Sequence, residues 1–322
     1  MNRFIKKNNL FKYFDYFHPI RLATSSTTIL QRRPNLSHPA LWYEDYPISL
    51  IGTRQSPINI RKEKCIANNQ KLELPPLKIE YPELFNGLRI RNPKDDTYFG
   101  WRVDIPYDFG DQATITGGPL NHHYKLIQFH AHWGKDCHCG SEHIIDGKHY
   151  SAELHFVHWN SDLYSSARKA AVSKDGLTVI AVFLQVSDDA KHLSSLQNIC
   201  DEIPNIRYKG LMKEMEKSMN ILEMIPKNRS YFTYLGSLTT PPLWETVTWI
   251  IFEQPIYCTN EQLDRFRQIS YYQKENQHQQ NERSLDEIYN GGSNVQENFR
   301  PVQPLNGRQI IYVRNNNNNN NR

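Results

Sequence analysis

The sequence predicts a sheet-dominated α+β fold, and three observations predict it. Short stretches rich in β-branched and aromatic residues recur, among them Leu88–Arg91, Trp101–Ile105, Tyr124–Trp133, Ala152–Trp159, Leu177–Val186 and Glu245–Phe252. Gly, Pro, Asp and Asn punctuate the intervals, as turns between strands require. Helical patterns are fewer and shorter, around Leu163–Ala171, Lys191–Ile199 and Glu261–Ile269. No internal repeat divides the chain, so residues 41–314 read as a single domain.

The two ends differ from this body. Residues 1–40 carry Arg3, Lys6, Lys7, Lys12, Arg21, Arg32 and Arg33 against one acid, Asp15, with a Ser/Thr cluster from Thr24 to Thr28. A secretory signal needs an unbroken apolar stretch, and Lys12, Asp15 and His18 interrupt this one. Basic, hydroxyl-rich and acid-poor is the composition of a mitochondrial transit peptide; a disordered cytoplasmic extension is the alternative. The Asn-rich run of residues 315–322 reads as a disordered tail.

Bulk composition narrows the function classes. A formal net charge of +4 over 322 residues demands no nucleic-acid partner, and no basic stripe interleaved with aromatics appears. No run approaches the ~18 apolar residues of a membrane span. The five cysteines, Cys65, Cys137, Cys139, Cys200 and Cys258, are too few and too scattered for a disulfide framework, which points to a reducing compartment.

The chemistry lies in the histidines. In the segment Gln128-Phe129-His130-Ala131-His132-Trp133, strand alternation sends His130 and His132 to one face as a chelating pair. Gln128, two residues upstream on that face, is placed to bond the outer ring nitrogen of a ligand. In Ser151–Trp159, Glu153 and His155 share a face, an orienting carboxylate beside a third ligand. Three neutral imidazoles around Zn²⁺ leave a fourth tetrahedral position open for water, the arrangement of a catalytic site. The metal's charge acidifies that water and generates hydroxide near neutral pH.

The blocks around these residues carry a family resemblance. Arg54–Ile60 (RQSPINI), Gln128–Gly134 (QFHAHWG), Gly140–His143 (GSEH), Ala152–Asn160 (AELHFVHWN), Gly236–Leu243 (GSLTTPPL), Thr248–Ile250 (TWI) and Asn298–Leu305 (NFRPVQPL) resemble, in order and spacing, the α-class carbonic anhydrases. The resemblance spans Trp42 to Ile310 and implies a central, twisted, mostly antiparallel sheet of about ten strands with short surface helices. It implies reversible, zinc-dependent hydration of carbon dioxide to bicarbonate and a proton, the substrate being a small molecule. By the family pattern the metal ligands are His130, His132 and His155, supported by Gln128 and Glu153. Thr239 falls on the threonine that accepts a hydrogen bond from the hydroxide nucleophile, and Glu142 on the acid that takes that threonine's proton. Val157, Val179, Leu238 and Trp249 match the apolar wall where carbon dioxide rests, and Thr240 a contact to bicarbonate. His143, His158 and Tyr234 match buried hydrogen-bonding supports. A catalytically silent binding protein of the same family is the alternative.

The departures from the pattern are as informative. Fast members carry a histidine partway up the cleft that passes protons to buffer; here Tyr98 or Phe99 falls at that position, after a small insertion. Neither titrates near neutrality, Tyr having an ordinary pKa of about 10, so proton transfer should be slower and buffer-dependent. Tyrosine there, and the stretch His38-Pro39-Ala40-Leu41-Trp42, resemble the mitochondrial members. The cysteine pair of secreted members is missing, its second position being Leu243. Cys137-His138-Cys139 matches nothing in the family and reads either as a second metal site or as a plain loop.

Overall fold

The computed structural model describes residues 42–67, 74–95, 98–109, 111–274 and 293–315. The basic N-terminal segment and the asparagine run beyond Asn315 lie outside them. Fifteen strands form among the described residues. The first half of the chain contributes β1 (Asn59–Ile60), β2 (Ile66–Ala67), β3 (Lys78–Glu80), β4 (Arg89–Arg91), β5 (Arg102–Asp104), β6 (Thr114–Gly117) and β7 (Leu120–Trp133). The second half adds β8 (Ile144–Ile145), β9 (Ala152–Asn160), β10 (Leu177–Val186), β11 (Met212–Glu214), β12 (Tyr231–Gly236), β13 (Val247–Phe252), β14 (Ile256–Cys258) and β15 (Ile311–Val313).

Thirteen of these form one sheet, in which ten strands follow the order β11-β4-β5-β7-β9-β10-β13-β12-β15-β2, with β3, β6 and β14 paired off that path. Neighbours are mostly antiparallel; β10/β13, β10/β14 and β15/β2 are the parallel pairs. This is the mostly antiparallel sheet of about ten strands that the resemblance implied, with three more attached to it. β1 and β8 make a separate small ribbon.

Apolar residues cover both faces of the central strands, so β9 and β10 are buried almost without interruption. On one face Phe129, Ala131, Leu154, Phe156, Ile180 and Val182 pack against Leu196 and Ile199 of the helix Ser194–Ile206 and Leu263 and Phe266 of the helix Asn260–Phe266. On the other face Val157, Val179, Ala181, Phe183, Trp249 and Ile251 form a second core. A strand buried on both sides loses the clean polar alternation of an exposed one. That is why Leu177–Val186 reads as a continuous apolar run and its bounds match the sequence expectation.

Other boundaries shift for local reasons. β7 begins four residues before the expected Tyr124, because Gly117 and Gly118, at φ +70° and +56°, turn the chain tightly out of β6. A side chain at Gly117 would also strike the Pro76 carbonyl. The helix expected over Lys191–Ile199 runs from Ser194 to Ile206, since Leu196, Ile199, Ile203 and Ile206 give it a buried stripe. Its Pro204 lies in the last turn. The helix Asn260–Phe266 starts on a capping box between Thr259 and Gln262. No helix among the described residues is long and apolar enough to cross a membrane.

Within β7 one residue has no counterpart. Leu126 pairs with His158 and Gln128 with Val157, leaving Ile127 as a bulge. Tyr124 and Leu126, upstream, face the helix-covered core, and so do Phe129 and Ala131 downstream. The bulge therefore exchanges the faces of odd and even positions and turns Gln128, His130 and His132 away from the helices.

Candidate metal centre

Residues directly opposed in neighbouring strands point to the same side of a sheet. Register aligns Arg102, His130, His155 and Ala181 in one row across β5, β7, β9 and β10. The adjoining row holds Asp104, Gln128, Val157, Val179, Trp249 and Tyr234. On the far side of the first row, His132 opposes Glu153, which opposes Phe183. The three sequence-predicted ligands are thus neighbours, and one ring nitrogen of each lies within 4.8 Å of the others.

Each imidazole is held by its outer nitrogen. His130 Nδ1–H donates to Gln128 Oε1 at 2.9 Å, His132 Nδ1–H to the Asn298 carbonyl at 2.9 Å, and His155 Nε2–H to Glu153 Oε1 at 2.8 Å. These acceptors leave a lone pair on Nε2 of His130 and His132 and on Nδ1 of His155. Burial, reinforced by His132, His155 and Arg102, holds His130 well below its ordinary pKa, and burial likewise lowers His132. Neutral rings are what metal coordination requires. His132 Nε2 is buried with no hydrogen-bond partner. Leaving such a nitrogen unpaired costs about 1–3 kcal/mol, and a cation at the point of convergence removes that penalty. The donor set fits Zn²⁺.

Behind the ligands lies a chain of buried hydrogen bonds. Glu153 Oε1 also accepts from His143 Nδ1–H at 2.7 Å, and its Oε2 takes the His143 backbone amide at 2.8 Å. Burial alone would raise this carboxyl, but the charge and hydrogen bonds of His143 and His155 outweigh it and hold Glu153 far below the usual carboxylate range. His143 Nε2 then accepts from Tyr234 O–H at 2.7 Å, and the Tyr234 oxygen from Ser56 O–H at 2.7 Å. Ser56 and Ser237 close the chain by exchanging backbone amide to hydroxyl bonds at 2.9 and 3.0 Å. Gly236 permits this approach, since a Cβ there would meet Ser56 Oγ at 2.2 Å. His158 is a support of another kind: buried, its Nε2 2.6 Å from the Tyr81 hydroxyl, its pKa pushed down to about 3 by desolvation.

In front of the ligands a cleft opens. Val157, Val179, Leu238 and Trp249 line it, with Thr239 and Thr240 on the loop after β12. The expected hydrogen bond from Thr239 to Glu142 is not made. Glu142 Oε1 accepts the Arg300 amide at 2.8 Å, while Oε2, 3.9 Å from His155 Nδ1, is buried without a partner. The carboxylate thus stands at the site with one acceptor atom unfilled, and the relay has its acid in place but not its first link.

The two candidates for the proton-transfer position part company. Tyr98 is buried against the ligands, its ring centroid 4.9 Å from that of His130, with its hydroxyl donated to the Ala131 carbonyl at 2.5 Å. Burial drives its pKa well above the ordinary value. Phe99 turns away and packs on Tyr271. Cys137 Sγ lies 3.8 Å from His138 Nε2 and Cys139 Sγ 3.7 Å from His149 Nδ1, but these two pairs do not converge on a common point. All five cysteines are free thiols.

Two residues of the site escaped sequence reasoning. Asn298, in a block noted only for resemblance, holds His132 with its carbonyl and fastens the Trp133 amide, the Phe99 carbonyl and the Ala131 carbonyl with its side chain. Arg102 lines the cleft beside His130. Its signal was available: a charged Arg102/Asp104 pair at i, i+2 within an apolar strand marks a face that is not plain core.

The sequence model of the eukaryotic-type carbonic anhydrases matches residues 37–314. The chain belongs to that family. Carbonic anhydrase 7 of Homo sapiens is 38% identical over 273 residues, covering 84% of this chain and 92% of that protein. Carbonic anhydrase 5B, mitochondrial, of Mus musculus is 38% identical over 290 residues, 90% of this chain and 83% of that protein. Carbonic anhydrase 5A, mitochondrial, of Homo sapiens is 38% identical over 294 residues, 91% and 86% of the two chains. Carbonic anhydrases are lyases that hydrate carbon dioxide, and the family is a zinc-dependent one.

If Gln128 fixes the His130 ring for a metal, Gln128→Ala should lower zinc affinity about 10- to 100-fold. Competition with a chelator of known affinity measures this, and an unchanged affinity would show that the hydrogen bond is incidental.

Proposed function

We propose that this chain catalyses the reversible hydration of carbon dioxide at a zinc ion held by His130, His132 and His155. The observation that carries the reading is the arrangement of the three rings, each tied by its outer nitrogen, with the buried His132 Nε2 lacking any partner among the described residues. When bound, the metal supplies hydroxide by lowering the pKa of water to about 7, a figure for which carbonic anhydrase is itself the reference case.

The chain's own residues do the rest. Val157, Val179, Leu238 and Trp249 offer an apolar surface beside the ligands, and carbon dioxide, having no net charge or dipole, needs nothing more to rest there. Thr239 accepts a hydrogen bond from the nucleophile once its own hydroxyl proton is committed to Glu142 Oε2, the buried acceptor with no other partner. That commitment fixes which way the nucleophile's lone pair points and replaces a loose encounter with a near-attack geometry. Thr240, next along the same loop, contacts bicarbonate as it forms.

A stopped-flow hydration assay on the full chain tests this. Activity should vanish when chelation removes the zinc and return when zinc is restored. Thr239→Ala should cut kcat about 10²-fold at undiminished zinc content, the cost of losing orientation alone. Activity that survives complete zinc removal, or a wild-type chain that binds zinc and hydrates nothing, would overturn the reading.

Apart from His130 and His155, neither a histidine nor a carboxylate lines the described cleft, and burial drives the pKa of Tyr98 well above its ordinary value. The turnover rate should therefore climb with the concentration of an imidazole buffer at constant pH. A rate already maximal in dilute buffer would show that another proton exit exists.

We also place the protein in mitochondria. The basic, hydroxyl-rich and acid-poor residues 1–40 support this, as do the relatives named as mitochondrial. A fluorescent fusion to the C-terminus of the full chain should enter mitochondria and lose that address when residues 1–40 are deleted. Diffuse cytoplasmic signal from the full chain would refute it.

A further inference from the structure

Arg102 sits on β5 directly opposite His130 and lines the same cleft as His130, Thr239 and Thr240. Its Nε–H donates to Asp104 Oδ1 at 2.8 Å, and the other oxygen of Asp104 is paired with Arg91. Two guanidinium groups therefore share one carboxylate, and the trio keeps one positive charge in excess. The Arg102 side chain is only 14% exposed, so packing and the Asp104 bond hold it in place. Among the described residues its terminal Nη1 and Nη2 have no hydrogen-bond partner, and they are not sealed from solvent. A buried carboxylate thus anchors a cation whose two outer donors are left for the cleft.

A guanidinium offers parallel N–H bonds in one plane, a geometry that fits a planar oxyanion better than a spherical ion. The hydration reaction consumes a neutral substrate and makes a planar oxyanion within this cleft. We propose that Arg102 is the anion-binding residue of the site, recruiting bicarbonate and other planar oxyanions to the cleft and taking no part in the capture of carbon dioxide. This rests on the hydration reading. In that reaction the oxygen of hydroxide forms a bond to carbon while one C=O π pair moves onto oxygen, so one negative charge is present before and after. A fixed cation beside the site meets similar charge throughout the step and acts on anion binding rather than on the barrier.

The experiment compares the zinc-loaded full chain with Arg102→Gln and Arg102→Lys. Nitrate serves as an inert planar oxyanion and chloride as a spherical one, each measured as an inhibitor of hydration and by titration calorimetry. Arg102→Gln should weaken nitrate and bicarbonate roughly three- to tenfold, between an exposed ion pair and a charge-assisted hydrogen bond. Arg102→Lys keeps the charge but loses the fork, so nitrate should weaken relative to chloride. Unchanged nitrate affinity in Arg102→Gln overturns the proposal, as does an unchanged nitrate-to-chloride ratio in Arg102→Lys. A wild-type chain that hydrates nothing instead defeats the catalytic reading, while calorimetry still reports whether Arg102 holds the anion.

Discussion

The site depends on the register of β7 against β9. His130 stands directly opposite His155, and His132 opposite Glu153, only because the single unpaired residue Ile127 resets the phase of β7 just before them. Strand side chains alternate with period two, so a slip by one residue would drive three polar side chains into the helix-covered core and expose Phe129 and Ala131 to the cleft. The hydrophobic cores on the two faces make that slip costly, since every residue of β9 and β10 along this stretch is committed to one side. The same packing that stabilises the sheet therefore fixes the distances between the ligands.

The second constraint is electrostatic. Four histidines, two carboxylates and two tyrosines crowd the buried end of the cleft, and unpaired polar groups there would be expensive. The fold meets this by giving the outer ring nitrogens partners with a defined donor sense. Glu153 accepts from His155 and His143, His143 accepts from Tyr234, and Tyr234 from Ser56. The donor sense is consistent along the whole chain, so the His143 ring cannot turn over without breaking two bonds. What remains unpaired, His132 Nε2 and Glu142 Oε2, lies toward the centre of the site rather than its periphery.

Much of this was legible in the sequence, and the rest was not for identifiable reasons. Period-two alternation put His130 with His132 and Gln128, and Glu153 with His155, because those relations lie within single strands. The pairing of one strand with the other rests on register and on the Ile127 bulge, which no local pattern announces. Asn298 holds His132 across a separation of 166 residues, with a backbone carbonyl that carries no side-chain signature. Tyr98 was read as a position partway up the cleft; its ring instead lies buried beside His130, where its hydroxyl reaches a strand carbonyl. The strands buried on both faces were found in place, while the helix ending at Ile206 was cut short because its buried stripe continues past the point where the apolar pattern thins.

These relations also explain why the cleft is polarised. Its floor is made of imidazoles, of which His130 and His132 are kept neutral by burial and by the rings beside them. One wall, where Val157, Val179 and Trp249 stand side by side on three adjacent strands, offers no hydrogen bond and suits an uncharged gas. The opposite wall begins at β5, where Arg102 adjoins His130 and its charge is only half cancelled by an acid it shares with Arg91. The two walls belong to adjoining cross-strand rows of one sheet, so their separation is set by the ~4.8 Å spacing of strands. The sheet thus sets an apolar surface suited to a neutral reactant and a cationic edge suited to an anion on either side of His130 and His155.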